Sequence, residues 1–61
     1  MSYKSVTAYG LMKIGFEPIR QDGKLCYKKD KNVYWFENGA IAGPGLTDWV
    51  VERLVLQIDK A

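Results

Sequence analysis

Cys26 is the one side chain here that could serve as a thiol nucleophile, and no histidine exists anywhere in the 61 residues to act as its base. A thiol reacts as its thiolate, which needs a base or a close cation to form at neutral pH. Lys24 and Lys28 stand two residues to either side, on its own face of any extended strand, and supply at most the charge. A small, unreactive strand residue is the simpler account. The carboxylates Glu17, Asp22, Asp30, Glu37, Asp48, Glu52 and Asp59 are scattered singly at expected turns and helix ends. General acid–base chemistry needs groups positioned together, and nothing in this spacing selects two for one site. A structural zinc site needs four Cys or His ligands, and a disulfide needs two cysteines, so neither is available. The glycine-rich run from Gly39 to Gly45 precedes an expected helix, the layout of a phosphate-cradling turn. It lacks both the GxGxxG spacing and the Gly-Lys-Ser/Thr ending of nucleotide loops. The chain therefore reads as a non-enzyme with no catalytic residue, cofactor or metal.

Binding chemistry has more support. Trp49 and Leu56 lie seven residues apart near the C-terminus, among Glu52, Arg53 and Lys60. On a helix they fall opposite the stripe formed by Val50, Val51, Leu54, Val55 and Ile58. A helix with one core stripe has no internal use for a second apolar ridge, and tryptophan is enriched at interface hot spots. Trp49, Leu56 and Trp35, with Arg53 as polar rim, are accordingly the expected protein-interface residues. The competing account has terminal residues around Tyr3 folding over these rings. A second function class rests on Lys24, Lys28, Lys29 and Lys31, interleaved with Tyr27, Tyr34 and Trp35. Charge combined with stacking platforms is the recipe for single-stranded nucleic acid. Lysines on a hairpin edge also deter aggregation, which would account for them without any ligand.

The elements that must carry these residues follow from local signals. A short helix is expected from about Thr7 to Ile14, capped by Ser5 or Thr7, with Ala8, Leu11, Met12 and Gly15 on one face. Gly15 suits a left-handed position after the helix, with Phe16 folding back on Leu11. Glu17-Pro18 ends it, since the residue before proline avoids helical geometry. Leu25 to Lys28, Val33 to Phe36 and Ala40 to Ala42 read as a three-stranded meander, and residues 17–20 could add a short leading strand. Asn38-Gly39 is a strong hairpin signal. Its register pairs Glu37 with Ala40, Phe36 with Ile41 and Trp35 with Ala42. A tight Asp30-Lys31 turn would pair Lys28 with Val33, Tyr27 with Tyr34, Cys26 with Trp35 and Leu25 with Phe36. Alternation then puts Leu25, Tyr27, Tyr34, Phe36 and Ile41 on a core face. Lys24, Cys26, Lys28, Val33, Trp35, Glu37, Ala40 and Ala42 take the other. The last helix runs from about Asp48 to Lys60 behind a Thr47 cap, with Leu46 and Val51 as a hydrophobic staple.

Size and composition set the frame. One domain spanning residues 1–61 is expected, and a domain this small buries only about 60% of its unfolded surface. An apolar content of 48% excludes a disordered chain. No run approaches the ~20 apolar residues of a membrane span, the start lacks a signal-peptide pattern, and a lone cysteine suits the reducing cytoplasm. The net charge of +2 permits nucleic acid without demanding it.

The expected fold is two-layer α+β in the order helix, three-stranded antiparallel meander, helix. That order, with Gly15-Phe16 after the first helix, resembles the HicA-type RNA-cleaving toxins. The resemblance implies a double-stranded-RNA-binding-like scaffold; the family's cleavage histidine has no counterpart here. Short basic chains with one cysteine also resemble accessory proteins of phages and mobile elements. The expected function is a small protein-binding adapter or inhibitor, self-associating as a homodimer, with nucleic-acid binding through the basic hairpin as the alternative.

Overall fold

The computed structural model describes residues 6–61. The order is α1 (Ala8–Lys13), β1 (Glu17–Gln21), β2 (Lys24–Lys29), β3 (Asn32–Glu37), β4 (Ala40–Ala42) and α2 (Asp48–Lys60). The strands form one antiparallel sheet in sequence order. The sheet thus has four strands where a meander of three was expected; residues 17–21 supply the extra one. Its weak apolar pattern and Pro18 fit an edge strand, where a missing N–H can face solvent.

Each strand joins the next through a two-residue turn. Asp22-Gly23 and Asn38-Gly39 have positive φ at both central residues, the type I′ requirement. At the Asp30-Lys31 turn Asp30 has positive φ while Lys31 does not, so this turn differs from the other two, as its poor type I′ chemistry would suggest. The β3–β4 register is the expected one. The β2–β3 ladder pairs Tyr27 with Tyr34, Lys28 with Val33 and Lys29 with Asn32, and stops short of the expected Cys26–Trp35 and Leu25–Phe36 pairs. Residues 32–34 of β3 bond to β2, and residues 35–37 to β4, so Trp35 sits at the changeover.

Val6, Leu11, Phe16, Tyr27, Tyr34, Val51 and Leu54 form the core, with Phe36, Ile41, Leu46, Val50, Val55 and Ile58 packed around it. Phe16 tilts against Tyr34 at 5.7 Å between centroids, and Tyr27 meets Phe36 edge-on at 5.8 Å. Leu25 departs from expectation. Alternation keeps it on the helix side, yet it is 47% exposed. The C-terminal end of α1 rests at Lys29, the far end of β2 from Leu25.

Thr7 caps α1, its hydroxyl accepting from the Gly10 amide at 3.0 Å; the alternative cap Ser5, and Tyr3, lie outside the described residues. The helix closes as a Schellman motif: the Phe16 amide donates to the Leu11 carbonyl at 3.0 Å and the Gly15 amide to that of Met12 at 3.1 Å. Met12, expected on the core face, is 43% exposed. Gly10 explains the rotation. It is buried, and a Cβ there would stand 2.9 Å from Ile58 Cδ1, so α1 turns its bare glycine side to α2 and Met12 outward.

Candidate functional site

Two surfaces carry the residues singled out by sequence, and they lie on different parts of the molecule. The first is the outer side of α2. Thr47, extended at φ −110°, accepts from the Val50 amide at 3.3 Å, and Asp48 and Lys60 sit at the ends that favour their charges. Val51 and Leu54 are buried and Val50, Val55 and Ile58 half-buried, which fixes the rotation of the helix. That rotation turns Trp49 and Leu56 outward, 64% and 59% exposed. The Arg53 guanidinium lies 5.0 Å from the centre of the Trp49 ring, in cation–π range. Glu52, Arg53, Asp59 and Lys60 are all exposed around this ridge.

Between α2 and the β2–β3 turn lies an open cleft of about 300 Å³, lined among others by Phe16, Tyr34, Trp49, Arg53 and Asp30. Burial pushes the Tyr34 hydroxyl above its usual pKa of 10.0. Lys29 also borders this cleft, and its ammonium donates to the Ile14 carbonyl at 2.8 Å. It ties β2 to the C-terminal end of α1, on the side of the sheet away from Lys24 and Lys28.

The second surface is the outer sheet face. An open cleft of about 390 Å³ there is bordered by Gln21, Lys24, Cys26, Lys31, Val33 and Trp35. Trp35 is half-buried. Its indole N–H donates to Glu37 Oε2 at 3.1 Å, and the Lys24 ammonium lies 4.7 Å from its ring centre. Lys28 stands directly across the ladder from Glu17. The sequence-derived basic set is therefore divided: Lys24, Lys31 and Trp35 share a cleft, Lys28 faces an acid, and Lys29 belongs to the helix side. The expected interface set is divided too, because Trp35 lies on the sheet face opposite the one carrying the core, whereas Trp49, Arg53 and Leu56 line α2.

Cys26 is on the outer face as expected but only 4% exposed. Ile19 across the β1 ladder and Trp35 in the same cleft are its neighbours on that side. Sequence reasoning missed Tyr9 and Met12 as a second exposed apolar pair, three residues apart on α1. The usable signal was Gly10: a glycine inside a short helix marks the side that something else approaches. Among the described residues, no helix is long and apolar enough to cross a membrane.

The arrangement defines a small α+β domain: a helix, a four-stranded antiparallel sheet and a second helix. No family model, curated protein or solved structure matches the chain. The fourth strand also departs from the three-stranded order on which the likeness to HicA-type toxins was drawn.

Proposed function

We propose that this domain is a non-catalytic protein-binding module that works through the outer side of α2, as an adapter or inhibitor covering a partner's surface. The supporting observation is the exposure of Trp49 and Leu56 on a helix whose opposite stripe already fills the core. With both helices taken as one layer over the Tyr27–Tyr34 side of the sheet, two surfaces stay open. On the outer sheet face the indole is already occupied by Lys24 and Glu37. On α2, among the described residues, Arg53 lies against the indole and Trp49 stays 64% exposed. Burying an indole contributes several kcal/mol to association when the ring fills a pocket.

The test is affinity capture with the wild-type chain and with Trp49→Ala/Leu56→Ala as bait. The double variant should lose the partner while its free energy of unfolding in urea stays within about 0.5 kcal/mol of wild type, as for exposed positions generally. Equal capture by both baits refutes the reading. Low-salt binding of single-stranded RNA or DNA that disappears in Trp35→Ala and Lys24→Ala would replace it with the nucleic-acid alternative.

A further inference from the structure

The charges on α2 are sorted in an unusual way. Its acids are Asp48, Glu52 and Asp59 and its bases Arg53 and Lys60, and no acid and base stand three or four residues apart. Pairs at those spacings are the ones that stabilise an isolated helix; here the single i,i+4 charge pair is Asp48 with Glu52, a repulsive one. Intrahelical pairing therefore does not explain the pattern. Projecting α2 at about 100° per residue puts Trp49 and Leu56 within about 20° of each other, at the centre of the exposed side. Arg53 and Lys60 fall along one flank of that seam, and Glu52 and Asp59 along the other. The exposed side is an apolar line with a basic edge and an acidic edge.

We propose that the occupant of this face is a second copy of the chain, joined in parallel through α2 about a two-fold axis running along the helix pair. The proposal rests on the reading of α2 as the binding surface and names its partner. A two-fold parallel to the helices brings the basic edge of each beside the acidic edge of the other. Residue heights match: Arg53 lies about one residue rise from the partner's Glu52, and Lys60 the same from the partner's Asp59, about 1.5 Å along the axis. Trp49 and Leu56 meet their own counterparts along the seam, as apolar positions seven apart do in parallel coiled coils. An antiparallel pair instead lays basic edge on basic edge and acidic on acidic, which disfavours it. The face is thus complementary to itself in one orientation only. With one indole and one leucine per chain the seam falls short of the roughly 1,200–2,000 Å² of stable complexes, so the dimer is a weak, exchanging one.

Sedimentation equilibrium of the full chain from about 10 μM to about 1 mM, at low salt, tests this over the affinity range of weak complexes. Wild type should shift from monomer to dimer across that range. Glu52→Lys/Asp59→Lys and Arg53→Glu/Lys60→Glu should each weaken the dimer at least about tenfold, equivalent to about 1.4 kcal/mol, and an equimolar mixture of the two should restore it. Orientation is read from Leu56→Cys in a Cys26→Ala background. Parallel helices place the two new thiols within disulfide reach. An antiparallel pairing of Trp49 with Leu56 holds them about 10 Å apart, beyond the ~7 Å limit. A disulfide-linked dimer on mild oxidation supports the proposal, and none forming at concentrations where the reduced variant still sediments as a dimer overturns it. A chain that stays monomeric to about 1 mM also overturns it, yet leaves the protein-binding reading to the capture experiment. A dimer that survives Trp49→Ala/Leu56→Ala overturns it and removes α2 as its interface.

Discussion

Gly10→Ala sets helix propensity against packing, and the structure decides between them. Inside α1, alanine is preferred to glycine by about 0.8–1.0 kcal/mol. The added Cβ, however, would stand 2.9 Å from Ile58 Cδ1, 3.1 Å from Ile58 Cγ2 and 3.3 Å from the Thr7 hydroxyl. Carbon atoms rest at about 3.5–4.0 Å, so both Ile58 contacts fall short by roughly 0.5–1 Å. Cδ1 can swing on its terminal bond. Cγ2 is attached at the branch point, where rotation in a helix is restricted, and moves only if α2 moves. Overpacking of this kind costs about 1–3 kcal/mol, which outweighs the propensity gain. The expected net loss is about 1 kcal/mol, and a change of that size lowers the melting temperature of a domain this small by about 4–8 °C.

The decisive comparison is the double-mutant cycle with Ile58→Ala. Truncation removes both close atoms, so Gly10→Ala should there stabilise by about 1 kcal/mol. The sign reverses, with a coupling energy of about 2 kcal/mol, large for any residue pair. Urea denaturation of the four proteins, followed by circular dichroism at one low protein concentration, measures it. A Gly10→Ala protein more stable than wild type, or the same sign in both backgrounds, would refute the argument that α1 and α2 meet at this glycine.

Three further outcomes are expected. Gly43→Ala puts a Cβ 2.6 Å from Tyr34 Cδ1 and 2.9 Å from the Val33 carbonyl oxygen, neither free to yield; it should cost at least about 2 kcal/mol by urea denaturation, and a loss under about 0.5 would count against it. Lys29→Met keeps the alkyl stem but removes the donor to Ile14, so it should lose about 1 kcal/mol and raise amide exchange at Gly15 and Phe16; unchanged exchange there would contradict the tether. Burial raises the Tyr34 pKa, so the folded state holds that proton more tightly than the unfolded chain. Its contribution is complete below pH 10.0 and disappears as pH climbs through the folded-state value; Tyr34→Phe should therefore flatten the loss of stability above pH 10.0, and identical alkaline slopes would refute the assignment.

Elements defined by short-range chemistry were legible. Asn38-Gly39, the Gly15–Phe16 closure of α1 and the Thr47 cap each depend on a few adjacent residues, and each formed with the expected partners. So did the outward turn of Trp49 and Leu56, because a helix thirteen residues long has enough periodicity to fix its rotation. The short leading strand allowed for over residues 17–20 formed too, as Glu17–Gln21 paired with β2 across a two-residue turn. What escaped depended on neighbours distant in sequence. Six residues of α1 carry too little periodicity to fix its facing, and Ile58, far along the chain, decides it. Leu25 alternates as expected, but its 47% exposure depends on where the helices settle on the sheet. Lys29 reads as one of a basic group until the fold brings the Ile14 carbonyl beneath it.

The two tryptophans show why residue type alone could not locate the site. At Trp35 the strand changes partner, on the sheet face opposite Tyr27 and Tyr34. The ring there has Lys24 above it and Glu37 holding its N–H. Long amphipathic side chains do this well, covering apolar surface with their stems while the charge stays in water. Cys26, on the same outward face, is only 4% exposed and so kept from the solvent contact a reactive thiol needs. Among the described residues, Trp49 has no equivalent arrangement. Arg53 touches the ring from one side, and the acid that could complete an ion pair with Arg53 along the helix is absent at the spacings where helices make such pairs. One indole finishes the fold of its own chain; the other keeps an exposed apolar face beside charges that no residue of the same helix pairs at three or four positions' distance, which is why the proposed interface is placed on α2 and not on the sheet.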